Sequence, residues 1–238
     1  MELGRGEFRR RVHDEFFLRL RERFHSQRAE LFVSLMRPEP NWKILDLGGS
    51  SGDFLKRVRN RGMDGDYVVA DINGACEADA LRNGFSFVQL DESAALPFGD
   101  HQFDVVICNS VIEHVTLPKD RCGAVGTESE WRGPSWKRQL QFAAEIQRIA
   151  RGYFVQSPHK WFPVEQHTLV PGLNWLSHNH TLAVLRFTDR YWFRRGVFVD
   201  WNLLNTVEMK TLFPDARVIV ERFLGIPKSI ICYRQRRD

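Results

Sequence analysis

Ile44-Leu45-Asp46-Leu47-Gly48-Gly49-Ser50-Ser51-Gly52-Asp53-Phe54 decides the fold of this chain. Its first part, taken from Lys43, is a compact apolar run of strand length, and residues 52–61 have helical character. Between them, where a strand ends and a helix begins, stand Gly48, Gly49 and Gly52. Glycine there admits backbone angles closed to other residues and lets a ligand approach the chain. The N–H groups opening the following helix would favour an anionic group. In an open parallel sheet such a junction lies outside the carboxyl ends of the strands, where ligands bind.

Outward from this junction, short apolar runs alternate with helical segments. Residues 66–70, 85–90 and 103–109 read as strands, the last (FDVVICN) continuously apolar, as in strands covered on both faces. Residues 135–151 read as a helix, with Trp136, Leu140, Ala143, Ile146 and Ile149 on its buried side and Gly152 at its C-terminal end. A fifth strand follows at 153–156 and a last helix at 205–213. Two strands, 216–223 and 229–234, close the chain with no room for a helix between them. This order predicts an α/β three-layer sandwich with a seven-stranded, mostly parallel sheet and an antiparallel C-terminal strand.

Ahead of the sheet, residues 12–36 read as an amphipathic helix in which Phe16, Leu20 and Phe24 recur every fourth position, and Arg37-Pro38-Glu39-Pro40 stops it. The expected plan is an N-terminal helical extension over 1–40 and one domain over 41–238. An insertion at about 158–204 carries Trp161, Phe162, Trp175, Phe187, Tyr191, Trp192, Phe193, Phe198 and Trp201. Rings in that number must pack against something: a cap over a binding crevice is one expectation, a homodimer surface the other.

Composition narrows the class. The 238 residues suit one decorated domain, at about 150 residues per domain. Charged residues at 27% and aromatics at 12% exclude a disordered or collagen-like chain. No apolar run approaches the ~18 residues of a membrane span, and the opening MELGRGEFRRRVHDEF shows no secretory signal. Cys76, Cys108, Cys122 and Cys232 are scattered without a C-x-x-C pair, which points to free thiols in a reducing, cytoplasmic setting. A net charge of +4 is a weak pull toward a polyanionic partner.

Tyr67-Val68-Val69-Ala70-Asp71 ends the second strand in a carboxylate, placed to accept hydrogen bonds from both hydroxyls of a ribose. With the glycine junction it identifies an adenosine-type ligand. A dinucleotide fingerprint, G-x-G-x-x-G, fits poorly, because Ser50 stands at its second glycine. The run Asp46-Leu47-Gly48-Gly49-Ser50-Ser51-Gly52, then Asp91 after the third strand, Leu96-Pro97-Phe98, and Phe103 through Val115 with Asn109-Ser110-Val111-Ile112-Glu113-His114, resembles the class I S-adenosylmethionine-dependent methyltransferases of small-molecule type. The likeness covers about residues 42–157 and departs where Ser50 replaces the middle glycine. It implies a Rossmann-like core and S-adenosyl-L-methionine as cofactor. By that likeness Gly48 and Gly52 let the chain approach the cofactor and Asp46 holds its methionine end. Asp71 takes the ribose diol, Asp91 the adenine amino group, and Ile72 packs on the ring. Gly49, Ser50, Glu92 and Asn109 complete the expected cofactor-binding set.

The fourth strand's end carries no Pro-Pro pair and none of the cysteines follows a proline, so the nucleic-acid amino and cytosine-C5 methylase patterns are missing and a nucleic-acid partner is not expected. The acceptor expected is a small or medium-sized molecule methylated at oxygen or nitrogen, with apolar or ring surface. A hydroxyl nucleophile benefits from a base, and histidine suits that work. His114 follows the fourth strand. His167 lies in Ser157-Pro158-His159-Lys160-Trp161-Phe162-Pro163-Val164-Glu165-Gln166-His167, which resembles a Pro-Asn-aromatic-Phe-Pro-Ile/Val-Glu-x-His stretch of some of these enzymes, with His159 in the asparagine position. Each histidine also has a structural reading: His114 bonding the backbone beside the cofactor, His167 pairing with Glu165. No metal is expected, since His159, His167, His178 and His180 lack partners at ligand spacing. Gly48-Gly49-Ser50-Ser51-Gly52 also satisfies the G-x-S-x-G nucleophile elbow, but the strands that precede such an elbow are missing. A cofactor-binding scaffold that transfers nothing is the alternative to an enzyme.

Overall fold

Ile44, Leu45, Asp46 and Leu47 are all buried because their strand lies in the interior of the sheet, with neighbours on both edges and both faces covered. The computed structural model describes residues 22–92, 95–188 and 199–237. A helix over 22–36 (α1) leads into β1 (Lys43–Leu47), α2 (Asp53–Arg59), β2 (Asp66–Asp71), α3 (Glu77–Arg82), β3 (Ser86–Gln89) and β4 (Phe103–Asn109). Then come a short α4 (Lys119–Cys122), α5 (Glu128–Ile149), β5 (Ala150–Pro158), α6 (His178–Thr188), α7 (Thr206–Leu212), β6 (Arg217–Phe223) and β7 (Ile226–Arg234). The seven strands stand in the order β3-β2-β1-β4-β5-β7-β6. β7 alone runs against the rest, pairing antiparallel with both β5 and β6. The expected Rossmann-like α/β sandwich, with its antiparallel C-terminal strand, is the architecture observed.

The alternation of side chains along each strand divides the core in two. Leu45, Leu47, Val106, Cys108, Tyr153 and Val155 face α5 and α7, while Ile44, Val105, Ile107 and Phe154 face α1 and α2. Both faces are apolar, which is why FDVVICN carries no polar alternation. On the second face Phe32 of α1 meets Phe154 edge-on, with ring centroids 5.4 Å apart. Emptying such a site, as in Phe154→Ala, costs about 3–5 kcal/mol.

Two expectations need correction. The helix expected at 135–151 starts at Glu128, where Thr127 and Glu130 cap each other's backbone N–H groups, and it ends at Ile149. Pro134, which suggests a boundary in the sequence, sits inside it. Its buried side therefore runs through Trp131, Ser135, Gln139, Phe142, Ile146 and Ile149, and Leu140 is exposed. Gly152 does not end the helix but lies in β5, where a Cβ would come within 2.7 Å of the Arg236 backbone nitrogen. The part of the expected N-terminal helix that holds Phe16 and Leu20 lies outside the described residues, as do Tyr191, Trp192, Phe193 and Phe198. Cys108, Cys122 and Cys232 are buried, Cys76 is half-buried, and all four are free thiols. No helix among the described residues is long and apolar enough to cross a membrane.

Candidate active site

The chain builds β1, β2 and β3 outward along one side of the sheet, then crosses to lay β4 and β5 on the other side of β1. The carboxyl ends of β1 and β4 therefore part around a crevice, the switch point at which open α/β sheets bind ligands. A cleft of about 300 Å³ opens there. Gly48 lines it after β1, Asp71 and Ile72 after β2, Asp91 and Glu92 after β3, and Ser110, Val111 and His114 after β4. Of the expected site residues, the cleft thus gathers Gly48, Asp71, Ile72, Asp91, Glu92 and His114. Asp46, Gly49, Ser50, Gly52 and Asn109 lie behind or beside its wall, and His167 reaches it through His114.

The glycines answer first to neighbours inside the protein. At Gly48, φ is +74° and a Cβ would strike Val111 Cγ2 at 2.3 Å. At Gly52, φ is +78° and a Cβ would strike the Phe85 ring at 2.5 Å. Three amides of the loop itself are turned to the protein's own oxygens. The Gly48 N–H donates to the Ala70 carbonyl, Gly52 N–H to the Gly49 carbonyl, and Ser50 N–H to Asp71 Oδ2 at 2.9 Å. With those amides engaged, the exceptional group is an acid. Asp46 is buried, and its Oδ2 has no hydrogen-bond partner among the described residues. Burial, with the negative charges of Asp71 and Asp53, pushes its pKa up to about 7. A buried, unpaired carboxylate is costly, so this site complements a cation better than a phosphate.

S-adenosylmethionine, with its ammonium and sulfonium charges, fits that arrangement. Asp46 would hold the ammonium of the methionine half. Asp71, whose oxygens accept from Ser50 N–H and from Asn73 N–H at 2.9 Å, is fixed in place at the cleft, where it would take the ribose. Ile72 is 47% exposed, an apolar face left for the base. Ser50 itself holds φ +52°, left-handed backbone that a glycine adopts more readily. Its hydroxyl meets Cys76 Sγ at 3.2 Å. The side chain of Asn109 is buried, and neither amide atom has a hydrogen-bond partner among the described residues.

The other end of the cleft is built from distant segments. His114 Nδ1 pairs with Asp200 Oδ1 at 2.8 Å, and His114 Nε2 lies 3.1 Å from His167 Nε2. His167 Nδ1 meets Glu165 Oε1 at 2.5 Å, completing a row Asp200–His114–His167–Glu165. Glu165 is buried and also accepts from Thr168 N–H and Oγ1. Burial would raise its pKa, but hydrogen bonds from His167 and Thr168 hold it below the ordinary carboxylate value. At Asp200 burial is likewise outweighed by the bond from His114, and its pKa is lowered. Burial disfavours a charged His114, yet the Asp200 bond and the nearby Glu113 carboxylate carry its pKa above the usual histidine value. Trp201 stacks on the His167 ring, centroids 4.7 Å apart.

Sequence reasoning missed Asp200, which pairs with His114 across 86 positions and carries no local signature. Glu113 was also missed, though its place beside His114 is a signal available in the sequence. The apolar wall of the cleft comes from Leu96, Val115, Leu117 and Phe142. None of the five described rings of the insertion lines it: Trp161, Trp175 and Phe187 are exposed, Phe162 is buried, and Trp201 lies behind His167. His178 stacks on Trp131 and bonds the Cys122 carbonyl, apart from His167.

Residues 45–125 match the family model of a methyltransferase domain. The ubiquinone/menaquinone biosynthesis C-methyltransferase UbiE of Xanthomonas oryzae pv. oryzae is 34% identical over 101 residues, which are 39% of this chain and 40% of that protein. The chain thus matches well under half the length of that relative. Among solved structures, the PH0226 protein of Pyrococcus horikoshii superposes with a TM-score of 0.54 at 14% identity, covering 92% of this chain and 91% of that one. The CurJ carbon methyltransferase gives 0.52 at 13%, over 89% and 54%; at such identity both show the fold alone. Residues 45–125 thus carry a methyltransferase-domain match, set within a fold shared with solved methyltransferase structures.

Proposed function

We propose that the protein transfers a methyl group from S-adenosylmethionine to an oxygen or nitrogen of a small or medium-sized apolar acceptor. One observation carries this reading: the cleft that Asp71, Ile72 and Asp91 line at one end runs on to His114 and Asp200 at the other. When bound, the cofactor supplies an electrophilic methyl group on a sulfonium sulfur. Asp46 and Asp71 anchor its two halves. Leu96, Val115, Leu117 and Phe142 offer the acceptor an apolar wall and keep water from the reacting atoms. His114 and Asp200 line the end of the cleft where the acceptor's O–H or N–H would lie, and the proton released as the heteroatom is methylated leaves toward the Asp200 carboxylate, which His114 holds in place. His167 acts through His114 as a positioning residue. Holding two reactants in line supplies most of the acceleration such a transfer needs.

The UbiE relatives are named as C-methyltransferases, which gives the second reading, methylation at an activated carbon. The family match ends at residue 125, before the segment that brings Glu165, His167 and Asp200. Acceptor choice is therefore set where that match does not reach. A screen of phenols, carboxylic acids, amines and quinols with methyl-labelled cofactor decides between them. The expected result is label on a heteroatom with matching release of S-adenosylhomocysteine. Label on carbon supports the second reading, and cofactor binding without transfer to any acceptor class makes the protein a scaffold.

A further inference from the structure

Two imidazole nitrogens face each other where, with both rings neutral, neither has a proton to give. His114 Nδ1–H donates to Asp200, and His167 Nδ1–H donates to Glu165. Each ring thereby turns a lone pair outward from Nε2, and the two Nε2 atoms stand 3.1 Å apart. A shared proton or a cation between them would satisfy both. Glu113 decides which. It is fully buried beside the pair, and neither carboxylate oxygen has a hydrogen-bond partner among the described residues. The nearby Ser157 hydroxyl, 3.4 Å from the Pro158 carbonyl, also lies close enough to Glu113 to ease its charge, without offsetting its burial. Ligand atoms of Glu113, His114 and His167 all lie within 4.8 Å of one another.

We infer that Glu113, His114 and His167 bind a divalent transition-metal cation, with zinc the ion their chemistry suits best. Two histidines and a glutamate are a donor set of catalytic zinc sites, with nitrogen at about 2.0–2.1 Å from the metal. Nitrogens 3.1 Å apart at that bond length subtend roughly 100° at the ion, near the tetrahedral angle. Glu113 completes the set by turning inward, toward the oxygen distance of ~2.0–2.2 Å. Each histidine is already oriented through Nδ1 by its own carboxylate, the arrangement that fixes metal-binding imidazoles. Glu165 is locked in turn by Thr168, and Trp201 stacks on the His167 ring. A shared proton would satisfy the two nitrogens but leave the Glu113 carboxylate buried and unpaired; a dication answers all three. Of the three ligands, His114 lines the cleft. The role of the ion in transfer rests on the function proposed above, whereas its binding does not.

The test is metal binding by the full chain, stripped with a chelator and titrated with zinc chloride in competition with a chromophoric chelator. The expected result is equimolar zinc, with d–d bands of a four- or five-coordinate nitrogen and oxygen site on cobalt(II) substitution. Asp200→Asn and Glu165→Gln, which leave the ligands in place, should each weaken zinc by about 10–100-fold. His114→Ala with His167→Ala should abolish stoichiometric binding, while affinity for S-adenosylhomocysteine, measured as the folding control, stays within about threefold. Substoichiometric zinc in the wild type, or undiminished zinc in the double variant, overturns the metal site. Loss of S-adenosylhomocysteine binding by the wild type would instead overturn the functional reading and leave the metal result standing.

Discussion

The two ends of the cleft are made in different ways. The cofactor end uses short continuous segments, 46–52, 71–72 and 91–92, each set where a strand ends. The acceptor end joins residues 113–114, 165–167 and 200, which meet only because the segment between β5 and α7 folds back across the carboxyl edge. The first is held by backbone geometry and one buried acid; the second is held by a row of side chains, with Glu165 locked by the His167 and Thr168 N–H groups. Changes at the acceptor end should therefore disable chemistry and spare cofactor binding, and changes at the cofactor end should do the reverse.

The largest effect is expected at the acceptor end. His114→Ala should lower turnover by about 10²–10⁴, the range for losing an acid–base group. Steady-state rates with the acceptor found in the screen check this, and turnover within about threefold of wild type would break the division between the ends. Next comes pH at the cofactor end. Asp46 stands at about 7 in the folded protein, above its ordinary value of 3.8, so it is protonated in mildly acidic solution. In the function proposed above, its ionised form is the one that would hold a cationic ammonium. Affinity for S-adenosylhomocysteine should therefore fall about fivefold between pH 7 and pH 6, and Asp46→Asn should flatten that profile. The same shift makes Asp46 a stability cost that grows as pH rises from 3.8 toward 7, since the native state there binds more protons than the unfolded chain. Thermal melts at pH 7 should show Asp46→Asn above the wild type. The smallest effect is at Ser50, whose left-handed backbone a glycine relieves: Ser50→Gly should add at most about 1 kcal/mol of stability.

This contrast also sets how much could be read from the sequence. The strand from Lys43 to Leu47 and the one from Phe103 to Asn109 announce themselves because burial on both faces writes an unbroken apolar run. The turn at Gly48–Gly52 and the acid at Asp71 are local, so spacing reveals them. Gly133-Pro134 misleads, because a capping box six residues earlier carries the helix through the proline. Gly152 misleads because its need for a small residue comes from the backbone near Arg236, a tertiary contact. Asp200 is silent for the same reason: nothing near it in the chain marks a residue that becomes significant only beside His114. The aromatic insertion suggested a roof of rings, yet the described rings leave the cleft wall to aliphatic residues and Phe142.

Calorimetric titration with S-adenosylhomocysteine tests the central claim most directly, run on the wild type, Asp71→Ala and His167→Ala. The account predicts a single site, a loss of about 10–100-fold for Asp71→Ala, and a change within about threefold for His167→Ala. No heat of binding at millimolar ligand, or equal losses in the two variants, would contradict it.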